Sequence, residues 1–173
     1  MAKFNKNIII GLLIVAVVAG TFFLTRQKIS DKFTPIKSSI TPTEKLVDYK
    51  ASFAIFTNGT FRIFIASMYH NQSSDVFIQS DNPNIVHVKK AGIIWDDFFK
   101  TLPMKLTKEC LITGTGETFC SGQSEKLKFY LNGIKEDNLL DKIINLGDQI
   151  LISFGSESEV ELQKQLQQIP VIK

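Results

Sequence analysis

The stretch ASFAIFTNGTFRIFI, residues 51–65, decides the fold, because two runs rich in Phe and Ile flank a single Asn-Gly pair. Asn58 and Gly59 both tolerate the positive φ angles that a two-residue type I′ turn requires. The sequence therefore predicts a β-hairpin whose strands are residues 51–57 and 60–65.

Strand-like and helical patterns alternate after this hairpin. A second hairpin is predicted from residues 75–79 and 85–88, and an apolar stripe predicts a short helix from Trp95 to Leu102. The remaining predicted elements are a strand over residues 127–131 that enters the Asn132-Gly133 turn, a helical turn over 139–144, a strand over 149–154 and an amphipathic helix over 158–168.

These elements predict an α+β domain, mostly antiparallel sheet with one packed helix. The final segment resembles the closing strands of a β-grasp domain, which implies a β-grasp-like C-terminal part. We place the domain at residues 47–155 and the C-terminal amphipathic helix at 156–173. The apolar face of that helix either packs on the domain, which we favour, or awaits a partner. Residues 26–46 lack a sustained apolar period and contain two prolines, which predicts a stalk.

Residues 8–24, IIIGLLIVAVVAGTFFL, are seventeen residues without a charge. A helix needs about 20 apolar residues to cross a hydrocarbon core of about 30 Å, so residues 1–25 are predicted to be a transmembrane anchor in the lipid bilayer. The alternative is a signal peptide cleaved after Val17-Val18-Ala19, but the apolar run is longer than a usual signal core. Long domains translocate largely regardless of charge, which predicts a cytoplasmic N-terminus and an extracytoplasmic domain in the cell membrane.

The positive charge of the chain is confined to the flanks of the predicted anchor. Residues 1–37 carry six Lys or Arg against Asp31, whereas residues 38–173 carry fourteen against sixteen Asp or Glu. Only two arginines are present, and a nucleic-acid surface requires clustered basic side chains. Nucleic acid is therefore excluded as a partner.

Cys110 and Cys120 bracket a short segment with two glycines that can turn the chain. In an oxidising compartment this arrangement predicts a disulfide across a hairpin. The alternative is a thiol-redox pair, but redox proteins favour Cys-X-X-Cys at a helix start, where the thiolate is stabilised. The wide spacing favours a structural bridge.

No catalytic or cofactor motif is present in the sequence. It contains no Gly-X-Ser-X-Gly elbow and no phosphate-binding or dinucleotide-binding glycine loop, so we predict neither an enzyme nor a cofactor. A zinc site would have to combine the two histidines with carboxylates at no recognisable spacing. The weak metal-ligand candidates are His87, His70, Asp48 and Asp81.

Several short motifs resemble, in their order, a family of uncharacterised prokaryotic exported domains. These motifs are NIVHV at 84–88, Gly92, WDDFF at 95–99, the two cysteines, KFYLNG at 128–133 and GDQILI at 147–152. The resemblance implies a single N-terminal anchor followed by a small strand-rich domain with His-X-His pairs on a metal-binding face. The corresponding positions here are Asp48 and Lys50, Phe77 and Gln79, and His87 and Lys89. Only His87 is retained, which implies that the metal site is lost.

We therefore expect a membrane-anchored, extracytoplasmic binding or interaction module with a protein partner in the cell envelope. Two alternatives remain: a degenerate metal-binding envelope protein, and a thiol-redox protein that uses Cys110 and Cys120.

Overall fold

A long central strand, β1 (Leu46–Thr57), organises the computed structural model, which describes residues 45–172. The other strands in this range are β2 (Thr60–Phe61), β3 (Val76–Phe77), β4 (Ile85–Lys90), β5 (Lys105–Leu106), β6 (Cys110–Ile112), β7 (Thr118–Cys120), β8 (Lys126–Leu131), β9 (Ile134–Lys135) and β10 (Gln149–Gly155). The α-helices are α1 (Trp95–Thr101) and α2 (Glu159–Leu166), and 3₁₀ turns lie at Ser67–Tyr69 and Leu139–Asp141.

Two sheets contain these strands. In the larger sheet the order is β3-β4-β1-β10-β8-β9, with β2 beside the end of β1, and in the smaller it is β5-β6-β7. β1 and β10 are parallel, with Phe53 opposite Ile150, and all other paired strands are antiparallel. The predicted α+β class with a mostly antiparallel sheet is confirmed, with two helices.

The Asn-Gly turn forms as predicted, but its second strand is shorter. Asn58 and Gly59 have φ angles of 50° and 74°. β2 ends at Phe61, and after Arg62, whose backbone N–H donates to the Ile55 carbonyl at 2.8 Å, the chain leaves the sheet. The prediction of a strand through residue 65 was wrong, because β4 occupies the adjoining edge of β1 from Ile85 onward.

The other predicted elements are largely present. β3 and β4 form the second hairpin, and α1 begins at Trp95, where the Asp97 carboxylate accepts a hydrogen bond from the Ile94 N–H at 3.2 Å. The predicted helical turn over 139–144 is limited to Leu139–Asp141, and Ile143 instead forms an antiparallel bridge with Ile94.

The alternation of side chains along β1 gives the larger sheet two apolar faces. On the front face Phe53 contacts Phe64, Phe98 and Phe99 at ring-centroid distances of 5.1, 5.5 and 5.9 Å. α1 and the smaller sheet contribute to this core through buried residues such as Trp95 and Leu111. The front face therefore contains the main hydrophobic core.

The C-terminal helix α2 covers part of the reverse face. Leu162 and Ile169 are buried there with Ala54 and Phe56 of β1. Ser158 caps the helix in the predicted capping box, since its N–H donates to the Glu161 carboxylate at 2.8 Å and its hydroxyl accepts from the Glu161 N–H. The apolar spacing of this segment is thus explained by packing on the sheet.

The predicted anchor (1–25) and nearly all of the predicted stalk (26–46) lie outside the described residues. β1 includes the last stalk residue, Leu46. Within residues 45–172 no helix is long and apolar enough to cross a membrane.

Candidate functional site

Cys110 and Cys120 form the predicted disulfide. They are directly opposite each other on β6 and β7, with an S–S distance of 2.10 Å and a Cα–Cα distance of 4.1 Å. Leu111 is buried in the main core and Phe119 packs against it. The bridge therefore holds the smaller sheet together where it contributes to the core.

His87 lies on the reverse face, outside the area covered by α2. Its ring stacks on Phe77 at 5.2 Å with an interplanar angle of 2°. Burial lowers the pKa of His87, and the ammonium groups of Lys50 and Lys89 lower it further. These effects favour a neutral imidazole at pH 7.

The other three metal-ligand candidates each have a polar partner within the domain. Asp48 forms an ion pair with Lys89 at 2.8 Å, and the hydrogen bond from Lys89 lowers the pKa of Asp48. His70 Nε2 lies 2.8 Å from the Phe64 carbonyl oxygen, and Asp81 accepts from the Asn82 amide in an exposed loop. Across residues 45–172 no group of three or more His, Cys, Asp or Glu side chains is placed to hold a metal ion.

Strand register does bring most positions of the implied His-X-His face together. Lys50 and Phe77 are both paired with His87, and Asp48 contacts Lys89. The residues at this face are thus two lysines, an aspartate, a phenylalanine and one histidine, which is not a donor set that zinc prefers.

A different surface is exposed and apolar where the chain leaves the sheet after β2. Ile63, Ile65 and Met68 are 61, 65 and 43% exposed, and we refer to them as the Ile63 cluster. Phe64, between the two isoleucines, is buried and contacts both Phe53 and Tyr69 at 5.1 Å. Burial of Phe64 in this extended segment leaves its two isoleucine neighbours exposed.

A cavity of about 120 Å³ opens beside the Ile63 cluster. Its lining consists of Ile55, Arg62, Ile63, Phe64, Tyr69, Met104, Leu111, Thr113, Gly114 and Thr115. A Cβ atom at Gly114 would lie 2.5 Å from the Tyr69 hydroxyl and 2.8 Å from the Pro103 carbonyl oxygen. Glycine at this position therefore permits the close approach that shapes the cavity wall.

The charge at the cavity rim is neutralised within the domain. The Arg62 guanidinium donates to the Glu117 carboxylate at 2.8 Å and to the Thr57 hydroxyl at 2.5 Å. It also lies 4.9 Å from the centre of the Phe119 ring. With the rim ion pair formed, the surface suits an uncharged, apolar group.

None of the Ile63 cluster was predicted as a site from the sequence, because Ile63 and Ile65 were assigned to a hairpin strand. The alternation Ile63-Phe64-Ile65 does not by itself indicate that the strand ends at Phe61. No protein-family model, curated protein or solved structure matches this chain. Function must therefore be inferred from the geometry of the described residues.

Proposed function

We propose that this protein is a non-enzymatic interaction module that is anchored by residues 1–25 and binds a protein partner through the Ile63 cluster. The observation that carries this proposal is the concentration of exposed apolar side chains beside a cavity. Scattered exposed apolar residues are ordinary, whereas contiguous ones mark interaction sites. The partner binds from the extracytoplasmic side of the cell membrane.

The cavity defines the chemistry of the partner. A volume of about 120 Å³, lined in part by Ile55, Phe64 and Leu111, accommodates one aliphatic side chain. The paired Arg62 and Glu117 offer no unmet charge, so a charged side chain would lose hydration without gaining a counterion. We therefore propose a neutral segment that inserts a Val-, Leu- or Ile-like anchor, in the manner of an interface hot spot.

Two features support the location and the finer fold assignment. Structural disulfides persist in oxidising compartments, so the Cys110–Cys120 bridge supports an extracytoplasmic domain. The parallel pairing of β1 with β10 at the centre of the sheet supports the β-grasp-like character of the C-terminal part.

Photocrosslinking in the native membrane tests the binding surface. A benzophenone amino acid replaces Met68 in the full chain, and we expect one dominant crosslinked protein. Ile65→Asp in the same background should abolish the crosslink. Val160→Asp should leave it intact, since Val160 is equally exposed (66%) but lies on α2. Equal crosslinking in both aspartate variants would contradict the proposed surface.

Thiol labelling of intact cells tests the location separately. In a Val160→Cys chain the introduced cysteine is the only free thiol among residues 45–172, because Cys110 and Cys120 are bonded to each other. We expect a membrane-impermeant maleimide to label it without permeabilisation. Labelling only after permeabilisation would place the domain in the cytoplasm.

A further inference from the structure

A second group of exposed apolar side chains lies at the end of the sheet where the chain enters the domain. Leu46, Ile143 and Leu146 are 80, 50 and 75% exposed, and we refer to them as the Leu46 cluster. They come from two segments almost one hundred residues apart in the sequence. Their shared location is therefore a property of the tertiary structure.

Backbone hydrogen bonds hold these segments at one end of the sheet. The loop after β4 is hydrogen-bonded to both segments: the Ala91 N–H donates to the Lys45 carbonyl at 2.9 Å, and the Ile93 carbonyl accepts from the Ile144 N–H at 2.9 Å. The Gly147 N–H donates to the Lys50 carbonyl at 2.9 Å, which fixes the segment after Leu146 against β1. The backbone around the three exposed side chains is thus held by hydrogen bonds.

One exposed lysine beside the Leu46 cluster favours an anionic surface. Lys45 is exposed and forms no ion pair with another residue of the range 45–172. Two carboxylates of the neighbouring strands are already engaged. Asp48 is paired with Lys89, and the buried Asp148 accepts hydrogen bonds from the Asn132 amide at 3.0 Å and the Asn145 N–H at 2.8 Å.

We infer that the Leu46 cluster is a lipid-contact surface, which inserts into the headgroup region of a bilayer containing anionic lipid. This inference rests on the anchoring part of the proposed function. Apolar side chains flanked by lysine are the combination by which proteins bind at the membrane interface. The lipid contact holds the domain against the bilayer and leaves the Ile63 cluster to its protein partner.

Chain connectivity favours lipid over other occupants of this surface. Residue 45 follows the predicted apolar anchor by only twenty residues, so any anchored chain keeps this end at a high local concentration of lipid. The side chains of the Leu46 cluster are exposed at a strand end and on a loop, whereas Ile63 lines a cavity. Acyl chains and headgroups conform to protruding side chains without a matching pocket.

Depth-dependent quenching in vesicles tests this inference with the full chain. Leu46→Cys and Leu146→Cys are labelled with a thiol-reactive fluorophore, and Ile63→Cys, with its exposure of 61%, is the matched control. The chains are reconstituted into phosphatidylcholine vesicles with or without phosphatidylglycerol, in which a fraction of the acyl chains is brominated. At 46 and 146 we expect about twofold more quenching than at 63, and more with phosphatidylglycerol than without.

The outcomes separate this inference from the proposed function. A chain that floats with the vesicles but shows equal quenching at 46, 146 and 63 overturns the lipid contact and leaves the anchor intact. A chain that does not float overturns both. Efficient thiol crosslinking between two copies through position 146, without quenching, would assign the surface to a second copy of this chain instead.

Discussion

The two faces of the larger sheet differ in how completely they are packed. The front face contributes to a core of twenty-two buried residues, whereas the reverse-face cluster has six, of which Leu162 lies on α2 and Ile169 follows it. Among the described residues, the buried polar atoms without a hydrogen-bond partner include the Ser52 and Ser153 hydroxyls and the Gln165 amide oxygen, and also the Trp95 indole N–H of the front core. By strand register Ser52 and Ser153 lie on the reverse face, because Phe53 and Ile152 point to the front. The front face therefore provides most of the stability, and the reverse face is the weaker attachment.

Two phenylalanines on β1 test this comparison directly. Phe53 and Phe56 are both fully buried, but Phe53 contacts three other aromatic rings, whereas among residues 45–172 Phe61 is the one aromatic ring in contact with Phe56. We expect Phe53→Ala to lower the free energy of unfolding by about 5 kcal/mol and Phe56→Ala by about 3 kcal/mol. Urea unfolding of both variants measures the difference.

Equal losses for the two variants would show that the reverse face contributes as much as the front. Phe61→Ala is a suitable control, since Phe61 is only partly buried and its loss should cost less than either. All three chains keep the disulfide, so the unfolded states remain comparable.

Removal of the disulfide should destabilise the smaller sheet, which packs on the front face. The bridge closes a loop between residues ten apart, and in the chain-entropy model its loss in a Cys110→Ala/Cys120→Ala variant costs roughly 3 kcal/mol. Hydrogen exchange should increase first in β6 and β7. If hydrogen exchange increased equally in α2, the disulfide would stabilise both faces of the larger sheet and not the front face alone.

Loss of the α2 cap should act mainly on the reverse face. Ser158→Ala removes the hydroxyl that accepts from the Glu161 N–H, and we expect a loss of about 1 kcal/mol. Ser158→Asp, which retains an acceptor, should restore most of it. Hydrogen exchange in α2 should rise while exchange in α1 remains unchanged; a parallel rise in α1 would mean that the two faces unfold as one unit.

The smallest expected effect is a change in the pH dependence of stability. Burial raises the pKa of Glu157, but the hydrogen bond and charge of Lys128 at 2.7 Å, with backbone N–H donors, lower it overall below its usual value. A lowered pKa in the folded state adds stability that is present above the unfolded pKa, about 4.3, and is lost as the pH falls through the folded pKa. Glu157→Gln should therefore flatten the stability curve below pH 5. If the variant lost stability below pH 5 as steeply as the original chain, Glu157 would not contribute to the pH dependence.

Elements whose geometry depends on a few neighbouring residues could be predicted from the sequence. The Asn58-Gly59 turn, the capping box of α2 and the apolar stripe of α1 are of this kind. The disulfide was also predictable, because two cysteines and two glycines within a short segment leave few alternatives. The parallel β1–β10 pairing was not, since nothing near β1 indicates a partner strand almost one hundred residues away.

The Ile63 and Leu46 clusters could not be predicted from the sequence for the same reason. The sequence identified Ile63 and Ile65 as strand residues, and Leu46 as part of a stalk. Their exposure depends on distant segments: β4 takes the edge of β1 up to Ser52, the position opposite residue 65, and the loop after β4 is hydrogen-bonded to both Lys45 and Ile144.

The sequence by itself determined the turns, the helices and the bridge, because backbone φ preferences, helix capping and short loop closure act over a few residues. Only the tertiary structure decided which strands are neighbours and which apolar side chains remain exposed. Each edge of β1 offers one row of hydrogen bonds, so segments far apart in the chain compete for it. That competition leaves residues 63–65 outside the sheet, beside the cavity proposed to bind a partner.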